Sequence, residues 1–247
     1  MDSVDLAATR LSEVRSKGTR ALDAEAFRSN LEKNSRCYSA GHQLAFEGDN
    51  GAPVLWVLKG WLALSKSLSD GQTQIIDFIL PRDIALPGAA DGLTAAFQVE
   101  ALTDVEVASL SQHEWDRIKQ ACPDVQGLAV NLAAAAQARM SERMLRLGKG
   151  SAPMRIAYAL LELSVRLKSI GEMEGDFIHL PLTQQQLGDF TGLSSVHVCR
   201  TLRRLVRNGV ITTVDHRDIR IRDIAALSEM AGIDVGRLAH EISPVAA

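Results

Sequence analysis

The sequence predicts an α+β protein that combines an N-terminal antiparallel β-roll, a long helix and a C-terminal winged helix-turn-helix. Three observations support this fold class. Short apolar runs alternate with glycine and aspartate turns in the first half, an unbroken helical pattern fills the middle, and two short helices flank Gly192. The length of 247 residues is enough for one large or two ordinary domains, since a domain has roughly 150 residues.

Composition excludes several classes of protein. Hydrophobic residues make up 46% of the chain, and 27 basic against 30 acidic residues give a net charge of −3, which is typical neither of a uniformly basic nucleic-acid protein nor of a charged disordered chain. The longest uncharged stretch of the helical middle, residues 125–138, is shorter than the roughly 18 residues of a membrane-spanning helix. Cys37, Cys122 and Cys199 form no close pair, and the N-terminus has no apolar signal segment. We therefore expect a cytoplasmic protein without disulfides and without membrane contact.

The first half of the chain is predicted to hold a helical arm and then the β-roll. Residues 1–35 form the arm, because Leu22, Ala26, Phe27 and Leu31 recur at helical spacing. From residue 36 the pattern is that of short antiparallel strands between tight turns. The strand-length runs are 54–58, 61–64, 74–80 and 105–110, and the turn signals include Gly48-Asp49, Gly60, Asp70-Gly71 and Pro81-Arg82-Asp83.

Residues 125–147 are predicted to form one long helix, after Pro123 has interrupted the helical pattern. One stripe of this helix has heptad-like spacing and is predicted to be the contact surface of a dimerisation helix over 123–148. The stripe consists of Leu128, Leu132, Ala135 and Arg139. A single buried core helix explains the same stripe about equally well, so composition leaves both alternatives open.

Local signals mark the ends of two neighbouring helices. Ser111 and Glu114 form a capping-box pattern, in which each side chain accepts from the backbone N–H of the other residue. The tetrapeptide at 148–151, Gly-Lys-Gly-Ser, is the clearest domain boundary of the chain and is predicted to be a hinge. Ser151 is suited to cap the next helix, which has Pro153 in its first turn and extends to about Lys168.

The segment after residue 180 predicts a winged helix-turn-helix. Thr183 and Gln186 form a second capping box, Gly192 allows a sharp turn, and Ser194 is suited to cap a second helix that ends near Arg207. Two short helices across a tight glycine turn form a helix-turn-helix. Residues 177–180 predict a short strand, 210–214 and 219–222 predict a hairpin, which is the wing, and 224–230 predict the helix that closes the domain.

The second helix of this motif has two unlike faces at 100° per residue. Val198, Leu202, Leu205 and Val206 share the face that we expect to be buried. Val196 points the opposite way together with four arginines: Arg200, Arg203, Arg204 and Arg207. Arginine binds phosphate or donates twice to guanine, so this face suits the major groove of DNA. A solvated basic face is the alternative, which the helix-turn-helix context disfavours.

Together these segments resemble the Crp/Fnr family of bacterial regulators, typified by the cyclic-AMP receptor protein and the fumarate–nitrate reductase regulator. The resemblance covers about residues 36–235 and depends on the turn signals named above and on the helix-turn-helix with Arg200. It implies a homodimer along the long helix, a two-fold symmetric double-stranded DNA site and contact with RNA polymerase. It also implies a cyclic-nucleotide-binding-like roll at 36–122 and a DNA-binding domain at 149–247. RNA polymerase contacts are expected at 168–176 and 69–71.

The resemblance assigns DNA contacts residue by residue. Base reading is expected of Ser195, Val196, Cys199 and Arg200, with Arg200 on guanine and Val196 against a thymine methyl in place of the family's glutamate. Phosphate contacts are expected of Gln185, Ser194, His197, Arg203, Arg217 and Arg220. Cys199, beside Arg200 and near His197, also carries the hypothesis of a redox switch, because an oxidised thiol would repel phosphate. A cysteine that only fills space is the alternative.

Departures from the family limit the signal that the protein can sense. Gly88 is followed by Ala89 where the cyclic-AMP branch has glutamate, and no arginine occurs up to Gln98, so a cyclic phosphate lacks a cationic partner. Three cysteines are too few for a [4Fe–4S] cluster, and His42 is the only obvious haem candidate in the roll. We therefore expect no cofactor, and either an unknown small effector or a roll that is only a packed platform.

Two other functional classes were weighed. We expect no enzyme, since no nucleophile elbow, phosphate-binding glycine loop or paired carboxylate motif occurs. A small-molecule, haem or redox sensor whose output is not promoter binding is the alternative to a DNA-binding regulator, but it would not need the basic helix. Residues 183–222 hold seven arginines, no lysine and three aspartates, a net charge of +4, so the rest of the chain carries −7.

Overall fold

The computed structural model describes residues 21–89, 94–173, 175–213 and 217–243, with side chains from residue 27 onward. The first twenty residues of the predicted arm therefore lie outside the described residues. The chain divides into two compact units, one up to Ala133 and one from Ala134. The division falls within the long helix, and the predicted boundary at 148–151 lies inside the second unit. We describe each unit by itself.

The first unit contains a roll of two antiparallel sheets. Helix α1 (Ala21–Lys33) precedes eight strands, and α2 (Gln112–Ala121) follows them. The strands are β1 (Ser35–Tyr38), β2 (Gln43–Ala45), β3 (Val54–Lys59), β4 (Leu62–Ser67), β5 (Thr73–Ile79), β6 (Ile84–Ala85), β7 (Gln98–Ala101) and β8 (Val105–Leu110). One sheet has the order β1-β8-β3-β6, and the other has the order β2-β7-β4-β5. The predicted roll is thus confirmed.

Alternation along β3 separates two apolar clusters. Leu55 and Val57 point into the roll, where aliphatic side chains of β4, β5, β7 and β8 surround them. Val54 and Trp56 point the other way, toward Phe27 of α1 and toward residues of α2 and of the long helix. The ring of Phe27 meets that of Trp56 edge to face, with the centroids 5.2 Å apart. The arm therefore contributes α1 to the first unit's core.

The long helix α3 spans Pro123–Lys149 and begins two residues earlier than predicted. Pro123 interrupts the pattern only in the sense that it ends α2, because a proline is tolerated in the first turn of the helix that follows. The capping box of Ser111 and Glu114 at the start of α2 is confirmed, with hydrogen bonds in both directions. No helix among the described residues is long and apolar enough to cross a membrane.

The second unit combines the rest of α3 with a winged helix-turn-helix. Its elements are α4 (Ala152–Ser169), β9 (Phe177–His179), α5 (Gln184–Thr191), α6 (Ser195–Arg207), β10 (Ile211–Thr213), β11 (Asp218–Ile221), α7 (Ile224–Ala231) and α8 (Val235–Ile242). The strands form one antiparallel sheet in the order β10-β11-β9. Helix α8 was not predicted: the chain does not close with α7, because Gly232 turns it and Asp234 caps a further helix.

The stripe that was predicted to face a partner is buried in its own chain. Leu128, Leu132, Ala135 and Arg139 are each at most 7% exposed in the single chain. Leu128 and Leu132 pack in the cluster around Trp56, and Arg139 faces Glu162 of α4 at 4.0 Å. The prediction that these four residues form the dimer contact is therefore wrong, because heptad spacing marks an apolar stripe and not what covers it.

Candidate nucleic-acid interface

Helices α5 and α6 meet across a tight turn that local chemistry fixes. The Thr183 hydroxyl accepts from the Gln186 N–H at 3.1 Å, and the Gln186 amide oxygen accepts from the Thr183 N–H at 2.8 Å. Gly192 ends α5 in the left-handed conformation, with φ of 65°. A Cβ at Gly188 would lie 2.4 Å from the Leu193 carbonyl oxygen, so glycine is needed where the turn folds back on α5.

Helix α6 begins at a serine cap and is buried on one narrow side. The Ser194 hydroxyl accepts from the His197 N–H at 3.4 Å and lies 2.8 Å from His197 Nδ1. Val198 and Leu205 are buried as predicted, together with Thr201. Val206 was predicted to be buried but is 38% exposed, because the buried stripe follows positions three and four apart from Val198 and passes it by.

The opposite side of α6 is open to solvent and basic. Arg200 and Arg203 are exposed, as are Arg204 and Arg207. Val196 is 62% exposed on the first turn of the helix. Ser195 and Cys199 are half-buried between the two sides. No acidic residue occurs in α6, so its exposed side attracts anions along its length. Oxidation of Cys199 stays a prediction.

The wing places two predicted phosphate contacts differently. Arg217 is exposed at the start of β11, next to the turn residues 214–216, which lie outside the described residues. Arg220 pairs with Thr212 of β10 in the sheet register, and its Nε lies 3.3 Å from a carboxylate oxygen of Asp176. A phosphate at Arg220 must therefore compete with Asp176.

Two further acidic residues lie beside the basic surface. Gln185, a predicted phosphate contact on α5, donates from Nε2 to Asp189 at 2.7 Å. His179 Nδ1 lies 2.5 Å from a carboxylate oxygen of Asp218 in the neighbouring strand. The sequence analysis missed these partners. The spacing of four residues between Gln185 and Asp189 on one helix is a signal that could have found the first.

The exposed side of α3 is uncharged, a second feature that the sequence analysis missed. From Gln126 to Gly148, none of the exposed residues of this helix carries a charge, whereas its arginines are buried. We call this surface the uncharged face. Its largest apolar members are Val130, Met140, Met144 and Leu145, which are between 48% and 67% exposed. Ala133, Ala134, Gln137 and Ser141 lie between them at spacings of three and four residues.

Comparison with known proteins agrees with both units. Residues 35–122 match the family model of the cyclic nucleotide-binding domain, and residues 154–230 match that of the Crp-like helix-turn-helix domain. The chain is 31% identical over 209 residues to the transcriptional activator protein FnrL of Cereibacter sphaeroides, which covers 82% of each chain. It is 29% identical to the nitrogen fixation regulation protein FixK of Bradyrhizobium diazoefficiens, over 85% of this chain and 88% of the relative.

A solved structure shows the same arrangement of elements. FixK2 from Bradyrhizobium japonicum superposes with a TM-score of 0.71 at 26% sequence identity, and the alignment covers 79% of this chain and 96% of that one. The likeness therefore includes the roll, the long helix and the helix-turn-helix.

Proposed function

The chain belongs to the Crp/Fnr family of transcription regulators, and from this premise we propose that it binds a palindromic promoter site as a homodimer and answers to a signal other than cyclic AMP. The relatives that it matches are regulators of transcription and not enzymes. The observation that carries the proposal is the exposed side of α6, where four arginines and Val196 stand on a capped helix.

We propose that α6 enters the major groove with its first turns against the bases. In helix-turn-helix proteins the N-terminal residues of the second helix contact base edges. Ser195, Val196, Cys199 and Arg200 lie on these turns, which supports base reading by them. Ser194, His197 and Arg203 suit the flanking phosphates, as do Gln185 and the wing residues Arg217 and Arg220 once their bonds to Asp189 and Asp176 are exchanged.

The uncharged face of α3 supports the homodimer. It runs for more than twenty residues, or about 33 Å at roughly 1.5 Å per residue, and offers apolar and small side chains without charge. A second copy of the same face, packed around a two-fold axis, buries these side chains without desolvating an ion. The dimer contact proposed here thus consists of Val130, Met140, Met144 and Leu145 in place of the buried stripe.

Two observations support a signal other than cyclic AMP. The interior of the roll is filled by aliphatic side chains such as Val57, Val99 and Val107. No arginine occurs between Gly88 and Gln98, in the segment where relatives of the cyclic-AMP branch hold the phosphate. A cyclic nucleotide carries a negative charge that needs a cationic partner in such a site. An effector of this roll is therefore a small molecule of different chemistry.

Contact with RNA polymerase is proposed at two exposed turns. The β4–β5 turn exposes Leu68 by 67% next to Asp70. The N–H and side-chain amide of Gln72 donate to the Asp70 carboxylate and hold its pKa below the usual value, so Asp70 stays negative. The segment 168–176 after α4 is the other turn.

Selection from random DNA duplexes tests the proposed function. The wild-type protein should enrich an inverted repeat, and its affinity for that duplex, measured by fluorescence anisotropy, should fall steeply between two salt concentrations. Arg200→Ala should weaken binding by about 1–3 kcal/mol and relax the preference at one guanine. Arg117→Ala, which removes an exposed charge from α2 in the other unit, is the matched control and should bind normally. Enrichment of no sequence, or of the same sequence by Arg200→Ala, contradicts the proposal.

A further inference from the structure

We propose that Arg155 is a positioning residue that fixes the helix-turn-helix to the second half of α3 and thereby sets the half-site spacing that the dimer accepts. The proposal rests on the proposed function, in particular on a homodimer formed along α3. Every residue involved belongs to the second unit, which contains both the end of α3 and the DNA-binding helices.

The connection between α3 and α4 is short and closely packed. Only Gly150 and Ser151 separate the two helices, and the Ser151 hydroxyl caps α4. The Gly150 N–H donates to the Arg146 carbonyl at 2.8 Å. A Cβ at Gly150 would lie 2.7 Å from that same oxygen. The glycine thus permits a close approach, and the segment that the sequence predicts to be a hinge is held by hydrogen bonds.

Arg155 joins three parts of the second unit through backbone carbonyls. Its Nη2 donates to Leu147 at the end of α3 at 2.7 Å, and its Nε donates to Gly150 at 3.1 Å. Its Nη1 donates to Gly192, the turn between α5 and α6, at 3.3 Å. Carbonyls at helix ends carry partial negative charge and are good acceptors for a guanidinium. One side chain of α4 therefore links the dimerisation helix to the DNA-binding turn.

Arg146 makes a second link, from α3 to the end of α7. Its side chain is buried, and its Nε donates to the Ala231 carbonyl at 3.0 Å. Its Nη1 donates to the Glu142 carboxylate at 2.5 Å, and its guanidinium stacks on the Tyr158 ring at 4.1 Å. These contacts fix the direction in which Arg146 leaves α3.

A buried ion cluster adds a third link between α3 and α4. Glu162 of α4 is fully buried, and Nε of Arg143 on α3 lies 3.5 Å from its carboxylate. Arg139, one turn earlier on α3, and Arg166 of α4 lie at 4.0 and 3.4 Å from the same carboxylate. Ion pairs without access to water restrict the arrangement of the helices that carry them, because separation leaves a buried charge.

These links make the half-site spacing a property of the second unit. Met140 and Met144 of the uncharged face belong to the same unit as α6. When two copies pair along α3, the distance and rotation between their α6 helices follow from how each copy holds α6 to α3. Arg155 is the residue that contacts both the end of α3 and the turn that precedes α6.

The test varies the spacer of the selected DNA site. Duplexes carry the wild-type half-site twice in inverted orientation, with the spacer unchanged or altered by one base pair, which rotates one half-site by about 35°. We expect the wild-type protein to lose about 100-fold in affinity on either alteration, and Arg155→Met to lose less than about tenfold. The preference for guanine at the Arg200 position should be the same in both proteins. Arg117→Met, which removes a positive charge from the other unit, should keep the wild-type spacing preference.

Two results overturn the proposal. Arg155→Met, shown to be folded by circular dichroism, keeps the wild-type spacing preference, or it weakens all spacers equally. If Arg155→Met does not fold, Arg155→Lys, which keeps the charge but cannot reach three carbonyls, is judged by the same two criteria. Failure of the proposed function looks different, since the wild-type protein itself would then bind no inverted repeat or would bind it as a monomer.

Discussion

At the scale of single residues, Val196 distinguishes this chain from relatives that read DNA with a glutamate. It exposes an aliphatic side chain on the first turn of α6, one helical turn before Arg200. A glutamate accepts a hydrogen bond from cytosine, whereas an aliphatic side chain packs against the methyl group of thymine. The two chemistries exclude each other at one base position, so the half-site of this protein should contain thymine where those of such relatives have cytosine opposite guanine.

Removal of one methyl group from the DNA tests this assignment. Replacement of the contacted thymine by uracil should weaken binding of the wild-type protein about three- to fourfold, because a buried methyl contributes about 0.8 kcal/mol. The same replacement should have almost no effect on Val196→Ala. Uracil at a thymine outside the half-site is the control for altered DNA shape. Equal losses in both proteins, measured by fluorescence anisotropy, would show that Val196 does not contact the methyl group.

Residues whose role depends on near neighbours in the sequence were predictable. The caps at Ser111, Thr183 and Ser194 need only a hydroxyl and an N–H three residues later, and all three form as expected. Arg220 was predicted only in part, since its partner Asp176 lies in another part of the chain and no local pattern reveals it. The roles assigned to the DNA contacts stay predictions.

At the scale of elements, α3 shows what periodicity reveals and what it conceals. The helix was predicted almost to its ends, because an apolar period over more than twenty residues has few alternatives. Which stripe faces the core was not, because Leu128 and Met144 are equally apolar to a sequence pattern. Four strands of the roll were also missed, since β1, β2, β6 and β7 have four residues or fewer. Sheet partners, which sequence does not show, define such short strands.

A pair of glycines tests the account of the connection between α3 and α4. Gly148 lies within α3 on the exposed side, and a Cβ there would meet nothing within 4 Å, whereas a Cβ at Gly150 would meet the Arg146 carbonyl. Gly148→Ala should raise the free energy of unfolding by about 0.5–1 kcal/mol, since alanine favours the helix. Gly150→Ala should lower it by about 1–3 kcal/mol through backbone strain.

Chemical denaturation of the two variants beside the wild type measures both effects. Each variant is the control for the other, because both add one methyl group to the same short segment. A flexible hinge at 148–151 predicts the opposite of our expectation for Gly150→Ala, namely a small gain or no change, since the added methyl would then find room.

At the scale of the whole molecule, charge is distributed by function. The net charge of −3 conceals a segment of +4 at 183–222 in an otherwise acidic chain, and the exposed arginines of α6 lie within that segment. On α3 the distribution is reversed, because the arginines are buried and the exposed residues from Gln126 to Gly148 are uncharged. Two surfaces of one chain are thus suited to different partners, one to an anionic groove and one to a copy of itself.

A charge placed on the uncharged face should dissociate the dimer. Met144→Glu puts a carboxylate from each copy into an apolar contact, and we expect the dimer dissociation constant to rise at least about 100-fold. Sedimentation velocity measures it. Leu68→Glu is the matched control, because Leu68 and Met144 are both 67% exposed, and Leu68 lies in the β4–β5 turn. A Met144→Glu protein that remains as dimeric as Leu68→Glu places the dimer contact elsewhere.

The acidic partners of the basic surface also have a kinetic consequence. Gln185 and Arg220 are each bonded to an aspartate of their own chain before DNA arrives. A random stretch of chromosome offers phosphates but few base contacts, so it repays the exchange of these bonds poorly. Encounters with random DNA should therefore be brief, and the protein should leave them quickly. A regulator with short dwell times on the many wrong sites samples more of the genome per second and finds its few operators sooner.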